Sequence, residues 1–137
     1  MNLFVYGTLL VPPIWEAVTG INGLTGRDGS IAGHQIFRVQ GGDFPGIVRT
    51  GEKEDKIAGK VFCDLPEKAV KRLDAYEGTL YERQEVTVEL DDRTSIAAQT
   101  YVIPEKKAPE ILSATPWTLD WFEENALDSY WARFFGS

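Results

Sequence analysis

The sequence contains one cysteine, Cys63, and one histidine, His34. A lone thiol excludes an internal disulfide framework, and one Cys with one His makes no cluster spaced for zinc, so no metal is expected. Long hydrophobic runs are also missing. The longest apolar stretches, Leu3-Phe4-Val5-Tyr6 and Leu9-Leu10-Val11, fall far short of the roughly 20 residues of a membrane span, and no cationic segment precedes them as in a signal peptide. Positive charge is scarce: 14 Lys and Arg stand against 21 Asp and Glu, a net charge of -7 that repels phosphate backbones and anionic lipid. A soluble, cytoplasmic protein follows, with neither nucleic acid nor membrane as partner.

What is present suffices for one core. A chain of 137 residues, 43% hydrophobic, suits a single domain over residues 1–137. Asn2 to Tyr6 reads as a buried strand stopped by Gly7, and Pro12-Pro13 starts a short helix with Ile14, Trp15 and Val18 on its apolar face and Gly20 at its end. Glycine breaks then separate β-like runs at Ser30–Gln40, Gly46–Thr50 and Lys56–Asp64, which read as a meander. Pro66 to Tyr76 is the clearest helix, since Ala69, Val70, Leu73 and Tyr76 recur at helical spacing before Glu77-Gly78 ends it. Glu82–Leu90 and Ser95–Ile103 read as an antiparallel pair turning at Asp91-Asp92-Arg93. From Thr115-Pro116 an aromatic-rich tail predicts one helix broken near Asn125, or two short ones. The pattern is α+β: a curled, largely antiparallel sheet or small barrel flanked by short helices.

Two places could carry chemistry. At Tyr6-Gly7-Thr8-Leu9 a buried strand ends and the chain turns. Gly7 can adopt φ > 0 there and bring successive N–H groups into an anion-binding nest, or it serves a tight turn alone. Glu77 puts a carboxylate at the negative end of a helix dipole, an unfavourable position, and burial would raise its pKa towards neutrality. That suits a group that accepts and donates protons; the plainer reading is an exposed turn residue pairing with Arg83. Other candidates carry less. Asp43-Phe44-Pro45-Gly46 lines a pocket or writes a β-turn, His34 reads as a strand residue satisfied by backbone or water, and Cys63 as a small core residue. The tail aromatics read as core, with a lid over a pocket or a dimer surface as alternatives.

Taken together, Phe4-Val5-Tyr6-Gly7-Thr8-Leu9, Pro45-Gly46-Ile47-Val48, and Leu73-Asp74-Ala75-Tyr76-Glu77-Gly78 with Tyr81 and Arg83 resemble the γ-glutamylcyclotransferase-like superfamily. The match lies nearest its γ-glutamylamine cyclotransferase and avirulence-induced-gene-like branch and spans roughly residues 2 to 103. The resemblance implies a small β-barrel flanked by helices, with residues 108–137 a variable, aromatic-rich helical tail. It also implies a cofactor-independent enzyme releasing 5-oxoproline and a free amine from a γ-glutamyl-amine or γ-glutamyl-amino-acid by intramolecular attack of the α-amino group. Glu77 would then be the catalytic acid and base, and Tyr6, Gly7, Thr8, Leu9, Tyr81 and Arg83 would contact the substrate. A non-catalytic module binding a small metabolite or a protein terminus in the same pocket is the competing reading, and the chain is expected to be a monomer or weak homodimer.

Overall fold

The computed structural model describes residues 1–136; the last residue of the predicted tail, Ser137, lies outside them. Its first strand, β1 (Leu3–Val5), is apolar throughout because both of its faces are covered. Phe4 points into the barrel beside Ile31, Val61 and Val88, while Leu3 and Val5 pack outward against the helices with Ile14, Trp15 and Leu73. A 3-10 turn (Thr8–Leu10) and α1 (Pro12–Thr19) follow, and Gly20 ends the helix.

The run read as Ser30–Gln40 is two strands, β2 (Arg27–Ala32) and β3 (His34–Arg38). Gly33, at φ 79°, turns the chain between them into a region that L side chains rarely adopt. β3 pairs only with β4 (Pro45–Arg49), in a separate two-stranded sheet. β2 instead pairs with β5 (Lys56–Phe62), from Arg27 opposite Val61 to Ala32 opposite Lys56. The predicted meander is therefore corrected: the β3–β4 hairpin is an excursion, and the strands on either side of it close upon each other.

α2 (Glu67–Glu77) lies where its periodicity placed it, burying Ala69, Val70 and Leu73. Next come β6 (Glu82–Leu90) and β7 (Ser95–Val102), paired from Glu82 opposite Val102 to Glu89 opposite Ser95. A parallel bridge, Leu3 opposite Gln99, closes the barrel in the order β1-β5-β2-β6-β7. Thr100, fully buried in the wall, donates to the Phe4 carbonyl at 2.9 Å, so its hydroxyl is not left unpaired.

The tail forms three short helices: α3 (Ala108–Ile111), absent from the sequence reading, α4 (Leu119–Asn125) and α5 (Leu127–Phe134). Thr118 caps α4 by accepting from the Trp121 amide, and the break falls at Ala126, beside Asn125. Trp117, Phe122 and Tyr130 join the outer core shared with α1 and α2. Among the described residues no helix is long and apolar enough to cross a membrane.

Candidate active site

The turn after β1, the C-terminal end of α2, the start of β4 and the inner face of α5 meet around a cavity of about 140 Å³. A buried water needs roughly 10–15 Å³ on this measure, so the space suits a small molecule. All five tyrosines of the chain, Tyr6, Tyr76, Tyr81, Tyr101 and Tyr130, line it. Among the described residues Glu77 is the only charged group in the lining.

Glu77 is the last residue of α2. Gly78, at φ 70°, caps the helix by donating its amide to the Asp74 carbonyl. The carboxyl thus meets the negative end of the helix and lacks a hydrogen-bonding or ionic partner among the described residues. As a residue Glu77 keeps some exposure through the open side of the cavity, but protein surrounds the carboxyl, and burial pushes its pKa up to about 8. The tyrosines are raised as well, chiefly by burial, with repulsion from Glu77 adding to each. They stay protonated, which leaves Glu77 as the lining group that titrates near neutral pH.

The hydroxyl protons can be accounted for individually. Tyr6 donates to the Tyr101 carbonyl at 2.7 Å and Tyr81 to the Pro45 carbonyl at 2.6 Å. Tyr101 donates to Asp74 Oδ1 at 2.7 Å. These three protons are committed, so towards any ligand in the cavity the hydroxyl oxygens of Tyr81 and Tyr101 can act only as acceptors. Thr8, Tyr76 and Tyr130 form a chain: Thr8 Oγ1 lies 2.8 Å from the Tyr76 hydroxyl, which is in turn bonded to that of Tyr130. A chain of three hydroxyls uses two protons internally and has one to spare.

Further donors come from the turn. Its own hydrogen bonds run from the Leu10 amide to the Gly7 carbonyl and from the Val11 amide to the Thr8 carbonyl. The amides of Thr8 and Leu9, as first N–H groups of a helical turn, have no acceptor among the described residues. Gly7 sits at φ -122°, so the predicted positive φ is corrected. The position excludes a side chain for another reason: a Cβ there would lie 2.7 Å from Pro45 Cγ. Phe44 and Pro45, the turn segment that could have been only a turn, are part of the lining.

The structure thus gathers Tyr6, Gly7, Thr8, Leu9, Glu77 and Tyr81 around one space and leaves Arg83 outside it. Arg83 lies opposite Tyr101 in the β6–β7 register and reaches both oxygens of Asp74 at 3.2 Å. Its expected pairing with Glu77 is therefore corrected: Asp74, one helical turn earlier, takes the guanidinium. Tyr76, Tyr101 and Tyr130 are not among the expected site residues, because helix and strand patterns and an aromatic tail show burial without showing what is faced. His34 is satisfied by the Ala32 carbonyl, 2.9 Å from its Nδ1. Cys63 lies half-buried just past β5 rather than in the core.

Comparison with known proteins agrees with this layout. The family model described as gamma-glutamyl cyclotransferase, AIG2-like, matches residues 3–121. AIG2-like protein C of Arabidopsis thaliana is 30% identical over 112 residues, covering 80% of this chain and 63% of that protein. AIG2-like protein A of the same plant is 31% identical over 116 residues, covering 80% and 66%. The chain thus spans somewhat under two thirds of the length of these two relatives. Among solved structures, an Arabidopsis thaliana protein studied in solution superposes with a TM-score of 0.72 at 24% identity, covering 97% of this chain and 78% of that one. An AIG2-like protein from Mus musculus superposes at 0.63 and 20%, covering 85% and 84%, and a gamma-glutamyl cyclotransferase at 0.63 and 16%, covering 74% and 65%. With its barrel, its flanking helices and a family match over most of its length, the chain belongs to the AIG2-like gamma-glutamyl cyclotransferase family.

Proposed function

We propose that the protein cyclises a γ-glutamyl amide to 5-oxoproline, releasing the amine, with Glu77 moving the protons. The observation that carries this reading is an unpaired carboxyl, raised to about 8, sharing a small cavity with donors and acceptors suited to an amino-acid headgroup. The amides of Thr8 and Leu9 with the spare hydroxyl proton serve the α-carboxylate. The oxygens of Tyr81 and Tyr101 with Glu77 serve the α-ammonium. Holding the ammonium lowers the Glu77 pKa through the new opposite charge, so the carboxylate form is present when substrate is bound.

Glu77 then takes a proton from the α-ammonium, and the freed amine attacks the γ-carbonyl carbon within the same molecule. The held headgroup keeps nucleophile and electrophile in reach, which converts binding into rate. As the ring C–N bond forms, the bond to the leaving nitrogen breaks, and Glu77 returns its proton there. Two protons pass in turn from the α-nitrogen to the leaving nitrogen by way of Glu77, and the amine departs as its ammonium. No external cofactor enters the scheme.

The test is release of 5-oxoproline from a panel of γ-glutamyl amides by purified protein without added metal, and its loss in Glu77→Gln. General acid–base catalysis is worth about 10²–10⁴-fold, and kcat should fall by that order with a smaller change in affinity. Binding without product in the wild-type protein would make this a pocket that holds γ-glutamyl compounds without cyclising them.

A further inference from the structure

We infer that the amine released is neutral and apolar, an alkyl or aryl amine held by Phe44, Leu80 and Phe134 at the mouth of the cavity. This rests on the cyclotransferase reading of the site. The lining is graded by depth. Tyr6, Thr8 and Tyr101 are buried, as is Tyr130; Tyr76, Glu77 and Tyr81 are half-buried, as are the apolar Phe44 and Leu80, and Phe134 is 53% exposed. A substrate that brings its α-amino group to Glu77 has its glutamyl part inside and its amine part against that outer trio.

The count of charges and donors then decides what the amine part can be. Among the described residues no Lys, Arg or His lines the cavity. The Thr8 and Leu9 amides and one hydroxyl proton match a single carboxylate, that of the glutamyl unit. A leaving amino acid would bring a second carboxylate. The guanidinium nearest the trio, that of Arg133, 5.3 Å from the Phe134 ring centroid, is already paired with Asp43, so the added charge would lie against apolar surface and lose hydration. A leaving amine with a second ammonium fares no better at the mouth. The acid near it, Asp43, is held through both oxygens by Arg133 at 2.9 Å. That pair also anchors α5, the helix carrying Phe134, to the turn carrying Phe44. The net charge of -7 draws cations from a distance. At contact, however, the mouth offers them aromatic and aliphatic carbon with its one acid already neutralised.

The experiment separates this inference from the reaction itself. Glu77→Gln, whose turnover is expected to be slow enough for binding to be read, is titrated by calorimetry with γ-glutamylbenzylamide, γ-glutamylglutamate and Nε-(γ-glutamyl)lysine, and the wild-type protein is assayed for 5-oxoproline with the same three. The benzylamide should bind at least about tenfold more tightly than either charged compound, the range that pocket hydrophobicity gives. In Glu77→Gln combined with Phe134→Ser, that ratio should shrink towards one. Equal affinities, or tighter binding of a charged compound, would overturn the inference even if 5-oxoproline is formed. A benzylamide preference with no 5-oxoproline from any compound would sustain the apolar mouth and overturn the cyclisation instead. No binding of any of the three, together with no 5-oxoproline from the wild-type protein, would overturn both, and wild-type turnover that does not favour the benzylamide would overturn the inference alone.

Discussion

Gly7 and Pro45 are in contact across the cavity wall: a Cβ on Gly7 would lie 2.7 Å from Pro45 Cγ and 3.3 Å from Cδ. The proline ring is fixed, since β4 begins there in register with Arg38 and its carbonyl accepts from Tyr81. Gly7→Val therefore has to push β4 away or unseat the turn. The expected cost is about 1–3 kcal/mol, as for other overpacked positions, read from urea denaturation. Ligand affinity should fall with it, because Pro45 and the turn are both cavity wall. Wild-type stability together with wild-type binding would contradict this close approach.

Local features of this fold were readable from the sequence and distant ones were not. The spacing of Ala69, Val70 and Leu73 announced α2, and Glu77-Gly78 announced its end, because helix periodicity and a glycine cap act over a few residues. The barrel was expected as a class, but its closure through Leu3 opposite Gln99 joins strands 96 positions apart, and no residue type encodes such a pairing. The same holds within the site. Glu77 was conspicuous because a carboxylate sits badly at a helix C-terminus, whereas Tyr130 reaches Tyr76 only through the packing of α5. Arg83 was misplaced by proximity in sequence: Asp74, on the preceding turn of α2, competes for its guanidinium.

Arg83 supports Tyr101 indirectly, by holding the carboxylate to which that hydroxyl donates. The ion pair is substantially exposed, so Arg83→Gln should cost less than about 1 kcal/mol in stability. Because Tyr101 retains Asp74 as its acceptor, turnover should drop by less than about tenfold, and kcat/KM measured over several γ-glutamyl amides checks it. A loss as large as that of Glu77→Gln would place Arg83 on the substrate after all.

Tyr130→Phe removes the last hydroxyl of the Thr8–Tyr76–Tyr130 chain while keeping the ring packed on Phe122, at 5.3 Å between centroids. One hydrogen bond is lost, worth about 0.5–1.5 kcal/mol, and α5 loses its polar link to the turn after β1. Denaturation should show that cost. Affinity for γ-glutamyl ligands should weaken as well, since the spare donor of the chain is lost or redirected. A stability loss with unchanged affinity would limit Tyr130 to holding α5 in place.

The raised Glu77 pKa makes a prediction about stability with an unusual sign. The carboxyl titrates at about 8 in the folded chain against an ordinary value of 4.5. Between those values the folded state keeps a proton that the unfolded state has released, so stability falls as pH rises through the window. Below about 4.5 both states are protonated and the penalty vanishes; above about 8 it is complete. Glu77→Gln has no proton to lose at this position. Its stability advantage over wild type should therefore be small near pH 5 and grow to roughly 1–3 kcal/mol near pH 8.5, allowing for water in the open cavity. Urea denaturation of both proteins at several pH values reads the difference directly, with the other titrating groups common to both. In the same window wild-type kcat/KM should rise with pH as the free carboxylate accumulates, so activity gains where stability is lost. A stability difference that stays flat from pH 5 to 8.5 would mean that Glu77 ionises as an ordinary surface carboxylate, and its position at the end of α2 would then give no proton-transfer group poised near neutrality.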